Sequence, residues 1–292
     1  MTIDIQTLAS GLGWRVRDVT CTAGPQDRPF EERHGSVCVA AVTHGTFRYR
    51  TAQGAALLTP GAVLLGNHGH CFECGHEHGI GDRCVSVQLA PELWEDIVAA
   101  VPGARSATFS LPRLPPLPSL EPLIAALAAA CRDGDAPELE ELALAFAGAV
   151  AATQRGPDRT RHAASLRVER RISDAVRRIE RDALDVMSGR CSLAALAREA
   201  AMSPYHFLRV FRQVVGMTPH QYVLRMRMHR AAVRLRGSDE PISTIALDAG
   251  FNDLSTFNRR FRRIMGASPT VFRRQRHAAP ALHSMAPRLL AQ

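Results

Sequence analysis

The sequence predicts a two-domain α+β protein: an N-terminal antiparallel β-barrel or jelly roll with a helix pair, then an all-α domain of two helix-turn-helix units. Three observations predict this. Short β-like runs cut by Gly and Pro fill the first hundred residues, charge changes sign beyond residue 154, and the C-terminal third repeats itself at an offset of 50 residues.

The candidate strands are residues 37–43, 46–51, 55–58, 62–65 and 84–89. Gly45, Gly54, Pro60-Gly61 and Gly81-Asp82 break them, as turns do. Evenly spaced short strands suit a small closed or double-sheet architecture. Residues 91–101 read as a short helix, and 111–119 as a Pro-rich spacer. Helical patterns follow over 120–132 and 137–154, Ala- and Leu-rich, as expected of an antiparallel pair packed on the barrel or on a second subunit. The polar, basic stretch at 156–167 is the expected linker, dividing a module at 1–155 from one at 168–276, with 277–292 as a tail.

Charge separates the two modules. The net charge is +8, but residues 155–276 hold 25 Arg against 11 acidic residues, whereas 1–154 hold 10 Arg against 17. A neutral-to-acidic module joined to a basic one points the basic half at a polyanion. All 36 basic residues are Arg; the guanidinium fork suits phosphates and guanine edges, although a Lys-free, Ala-rich composition also follows from a GC-rich genome. No signal-peptide pattern opens the chain and the apolar runs are too short to span a bilayer, so the expected location is cytoplasmic, with no membrane partner.

At the 50-residue offset Phe207 falls on Phe257, Arg209 on Arg259, Phe211 on Phe261, Arg212 on Arg262, Gly216 on Gly266 and Pro219 on Pro269. Such regularity implies two copies of one supersecondary unit. In the first, Ser192 caps a helix, 200–203 is a turn, and Ser203 with Pro204 opens the next helix. Pro241 begins the second copy, which turns at Gly250-Phe251-Asn252. With the apolar positions turned inward, the second helix of each copy presents Arg, Asn, Gln and Ser, which can read base edges or clamp phosphates. The bland alternative is a solvated basic face, which explains neither the repeat nor the turn chemistry.

The segments SPYHFLRVFRQVVGMTP (203–219) and PISTIALDAGFNDLSTFNRRFRRIMGASPTVFR (241–273) resemble the double helix-turn-helix domain of the AraC/XylS family. The resemblance implies recognition helices entering successive major grooves, held apart by a long helix that residues 219–235, capped by Thr218, fit. It carries DNA contact onto Tyr205, Leu208, Arg209 and Arg212, and onto Ser255, Asn258, Arg259 and Arg262. Leu208 and Leu254 either touch thymine methyls or contribute nothing to sequence choice. It also implies a transcription regulator with a cupin-like N-terminal sensor that aids dimerisation. The expected partners are double-stranded DNA, a metal ion or small-molecule effector, a second copy of the chain and RNA polymerase.

One N-terminal segment is rich in ligand-type residues: His68, His70, Cys71, Cys74, His76, His78 and Cys84 lie within 17 positions. Thiolates and imidazoles suit Zn, Fe, Ni, Co or Cu. Cys74, His76 and His78 share one parity with Cys84 and form the preferred ligand set, with Cys71 next. The alternatives are thiol-redox sensing and a polar loop over an organic-ligand pocket. Gly61, His68, His70 and Glu73 nearly match a catalytic cupin pattern, which leaves a cupin metal-dependent enzyme fused to a DNA-binding domain as the rival class; the expectation is no enzyme. Cys21, Cys131 and Cys191 read as small core residues, and His34 and His44 as turn residues.

Overall fold

The computed structural model describes residues 2–29, 31–76, 79–104, 106–133, 136–153, 165–182 and 191–275. Most of the expected linker and all of the expected tail lie outside these residues.

The N-terminal domain holds β1 (Ile3–Gly11), β2 (Trp14–Cys21), β3 (Glu31–Arg33), β4 (Val37–Gly45), β5 (Phe47–Thr51), β6 (Gly54–Leu58), β7 (Val63–Gly66), β8 (Cys71–Gly75) and β9 (Asp82–Leu89). Then come α1 (Pro91–Ala100), β10 (Arg113–Leu114), α2 (Glu121–Asp133) and α3 (Ala136–Thr153). The strands form two antiparallel sheets, ordered β1-β2-β9-β4-β7-β10 and β3-β8-β5-β6. The expected closed barrel is therefore corrected to a pair of open sheets. Strand spacing does not determine closure, and here short edge strands of three, five and two residues end the ladders.

Period-two alternation builds three layers. Val37, Val39 and Ala41 of β4 and Val85, Val87 and Leu89 of β9 pack on α1, α2 and α3. Their neighbours Cys38, Ala40, Val42 and Cys84 face the second sheet through Phe47, Tyr49 and Leu58. The helix pair thus covers the large sheet of its own chain, and Trp14 of β2 donates to Glu140 of α3 at 3.0 Å.

The strands β1, β2, β3 and β8 were not expected. β1 and β3 alternate with mostly exposed faces, and β8 runs through the Cys/His segment that composition reads as a loop. Pairing with β3 and β5 makes it a strand. A two-residue strand, β10, also interrupts the Pro-rich spacer and pairs with β7.

The C-terminal domain is helical: α4 (Leu166–Asp182), α5 (Leu193–Glu199), α6 (Pro204–Val215), α7 (Pro219–Gly237), α8 (Ile242–Asp248), α9 (Leu254–Met265) and α10 (Pro269–Arg274). Local chemistry sets the boundaries. Ser192, Ser203 and Ser268 each accept a backbone N–H, Thr218 and Gln221 form a full capping box, and Gly216 and Gly266 end their helices in the left-handed region. Helix α7, roughly 28 Å long at 1.5 Å per residue, joins two cores. Tyr222, Val223 and Met226 enter one with Phe207 and Phe211; Met228, Ala231 and Leu235 enter the other with Phe257 and Phe261. No helix among the described residues is long and apolar enough to cross a membrane.

Candidate nucleic-acid interface

Each recognition helix buries one stripe and exposes the other. In α6, Phe207, Val210, Phe211 and Val214 are buried, while Arg209 and Arg212 are exposed, Leu208 is half-buried, and Tyr205 is 78% exposed, which leaves its ring free to reach a ligand. In α9, Phe257, Phe261 and Met265 point inward and Ser255, Asn258, Arg259 and Arg262 outward. A concavity of about 910 Å³ lies between the units, with Arg212 of α6 and Arg259, Arg260 and Arg263 of α9 on its walls and His220 and Gln221 of α7 between them. Two recognition helices thus present arginines to one shared depression. Arg260, His220 and Gln221 escape a reading of the repeat because the 50-residue offset sets them against Val210, Thr270 and Val271, and Arg263 falls on Gln213 rather than on a second Arg.

The N-terminal domain borders this face. Pro116, Leu117 and Pro118 rim the concavity, and Arg113 donates to the Val214 carbonyl at the end of α6. Buried and half-buried charged contacts hold the two halves together: Glu121 with Arg225 and with His229 (2.7 Å), Glu138 with Arg236, and Arg48 with Glu169. Burial alone would raise the Glu121 carboxyl, but Arg225 and His229 outweigh it and hold it below its ordinary value. Around α4, Thr46 and Ser173 hydroxyls meet at 2.5 Å, and Glu180 accepts from the Gly45 N–H at 3.1 Å.

The Cys/His segment is dispersed by its own strand. Cys74 and Cys84, with Phe72, line a cavity of about 650 Å³ between the sheets, and Cys71, three residues from Cys74, does not. A C-x-x-C spacing on an extended strand puts its thiols on opposite faces, which removes the bite expected of that pair. His78 lies outside the described residues. His68 and His70 sit exposed in the β7–β8 turn, His70 against Gln53 at 3.1 Å, and Glu73 pairs with Arg50 at 3.8 Å, so the cupin-like set Gly61, His68, His70 and Glu73 is not gathered round one point.

The structure instead brings His76 to Asp82 and Cys21. His76 Nε2 lies 2.5 Å from Asp82 Oδ2, and the ligand atoms of Cys21, His76 and Asp82 all lie within 4.8 Å of one another, the one such group among the described residues. Burial disfavours the charged imidazole, yet hydrogen bonding to Asp82 and Cys21 pushes His76 up to about 9. Burial raises the Cys74 and Cys84 thiols well above their ordinary value, which suppresses the thiolate that redox chemistry needs. Cys21, read as a core residue, is therefore a polar-cluster member as well. Its partner Asp82 is 61 positions away, and only β2–β9 register joins them. His34 is no mere turn residue; it is buried, stacks on Phe72 and lies 2.7 Å from the Tyr49 hydroxyl.

Paired helix-turn-helix units around one long helix, with two arginine-bearing edges on a common concavity, define the class of this C-terminal domain. A family profile described as a helix-turn-helix domain matches residues 196–275. The probable transcriptional regulator LumQ of Photobacterium leiognathi is 38% identical over 81 residues, 28% of this chain and 33% of LumQ. Regulatory protein SoxS of Salmonella typhimurium is 34% identical over 82 residues, 28% of this chain and 77% of SoxS. A crystal structure of an AraC-type transcriptional regulator from Chromobacterium violaceum aligns at 26% identity and TM-score 0.34, over 37% of this chain and 93% of that one. This chain spans about a third of LumQ's length. The chain belongs to the AraC/XylS family.

Proposed function

We propose that this protein is a sequence-specific DNA-binding transcription regulator, with a cupin-like N-terminal sensor docked beside its DNA-binding face. The observation that carries this is the shared concavity: Arg212 and Arg259, from different recognition helices, line the same depression. Two helices on one side, separated by a helix of about 28 Å, suit neighbouring major grooves roughly 34 Å apart. Double-stranded DNA is the primary partner, and a second copy of the chain and RNA polymerase belong to the same reading. The interdomain ion pairs supply a route by which the sensor controls the reading heads.

Selection from a random duplex library with the full chain tests this. The expected product is a bipartite site with half-sites about one helical turn apart, bound more weakly by Arg209→Ala and Arg259→Ala. Failure to enrich any sequence, or unchanged binding by both variants, overturns it.

A further inference from the structure

We propose that Cys21, His76 and Asp82 form a site for one borderline divalent metal ion, with Zn²⁺ as the reference ion. All three side chains are buried, and sulfur, imidazole nitrogen and carboxylate oxygen are the donor types that Zn²⁺ takes. Cys84, whose Sγ is 3.7 Å from Asp82 Oδ1, stands ready as a fourth donor. The Ala23 N–H points at Cys21 Sγ from 3.4 Å, as amides support metal thiolates. The cluster lines the cavity between the sheets, which gives an ion a way in.

Around a tetrahedral Zn²⁺ with bonds of about 2.1 Å, nitrogen and oxygen ligands sit about 3.4 Å apart. The present 2.5 Å contact between His76 and Asp82 must therefore open slightly as the ion enters. Coordination replaces the Cys21 thiol proton and the proton held between His76 and Asp82, together with the Cys84 thiol proton where Cys84 completes the set, and each leaves to solvent.

The placement of the site gives it an output. Just before Asp82, the Ile80 and Gly81 carbonyls accept from Arg177 of α4 at 2.9 and 3.2 Å. Gly81 N–H donates to Ala23 at 2.9 Å, and Gly45 packs so closely on this turn that a Cβ there would lie 2.2 Å from the Gly81 oxygen. A turn gripped this tightly cannot move at Asp82 without moving Arg177. Metal occupancy is thus read by the first helix of the C-terminal domain; this half of the proposal rests on the DNA-binding reading, and the metal site does not.

Cobalt titration of the reduced full-length chain, followed by visible spectroscopy, tests the site. The expected result is one Co²⁺ per chain with a thiolate charge-transfer band, displaced by Zn²⁺. Cys21→Ser, nearly equal in size, should weaken binding tenfold or more and diminish that band, while Cys71→Ser should change nothing. Unaltered binding in Cys21→Ser, or loss that follows Cys71 instead, overturns the site. In the second arm Zn²⁺ shifts affinity for the selected DNA several-fold, and Arg177→Ala abolishes the shift without weakening Co²⁺ binding. Metal binding with no effect on DNA affinity overturns the coupling. Absence of any DNA binding beside an intact cobalt spectrum counts against the regulator reading alone.

Discussion

The two helix-turn-helix units share an apolar scaffold but differ in their turns, their charge and their attachment. In the first, Ala200 caps the end of α5 and Ala201 takes the left-handed turn at φ 49°; in the second, Ala249 caps α8 and Gly250 takes it at φ 82°. Both turns close with the same bond pattern, from Met202 N–H to Ala197 and from Phe251 N–H to Ala246. The copies are thus 49 residues apart before the turn and 50 after it, since the second turn is one residue longer. The recognition helices diverge further. In α6 the exposed edge mixes Tyr205, Arg209 and Arg212 beside the half-buried Leu208, whereas α9 carries Arg259, Arg260, Arg262 and Arg263. The first unit's core takes in Leu57 of β6, and the second's takes in Ala125 of α2. Duplication conserved what packs and released what touches the outside.

The largest effect expected is at the junction shared by both units. Glu121→Gln leaves Arg225 buried opposite a neutral group, and should cost about 3–5 kcal/mol in thermal or urea unfolding. A loss confined to one unit's amides in hydrogen exchange would show that α7 does not couple the copies. Next come the reading heads. Arg259→Ala and Arg209→Ala should each cost about 1–3 kcal/mol on the selected site, measured by titration at fixed salt. Equal losses at every DNA sequence would reassign these side chains to phosphate.

Charge distinguishes the copies at lower cost. Removing Arg263 should reduce the salt dependence of binding by about one unit of slope, and removing Arg262 should do the same only if it serves a phosphate rather than a base. The pH response sharpens the picture of attachment. Glu121 has a folded value below its unfolded one, so its stabilisation is present above the unfolded carboxylate range and fades as pH falls through it. Wild type should lose stability below about pH 5 more steeply than Glu121→Gln; parallel curves would remove Glu121 from the junction. The smallest effect separates the turns. Gly250→Ala should destabilise by about 1 kcal/mol, while Ala201→Gly should be neutral or slightly stabilising, because relief of positive φ offsets the added freedom of the unfolded chain.

What the sequence determined by itself was the C-terminal domain. Caps such as Ser203-Pro204 and Thr218 with Gln221, and glycines such as Gly216 and Gly266, act over one helical turn, so their effect is written within a few residues. The repeat then placed Arg209 and Arg259 on equivalent outward edges. Tertiary structure alone decided the rest. Whether two sheets close, whether Cys71 and Cys74 share a face, and that Cys21 meets His76 and Asp82 all depend on strand register, which pairs residues such as Cys21 and Asp82 across long stretches of chain. The junction residues Glu121, Glu138 and Arg177 were likewise invisible, because a charge finds its buried partner only when distant elements pack and water is excluded between them.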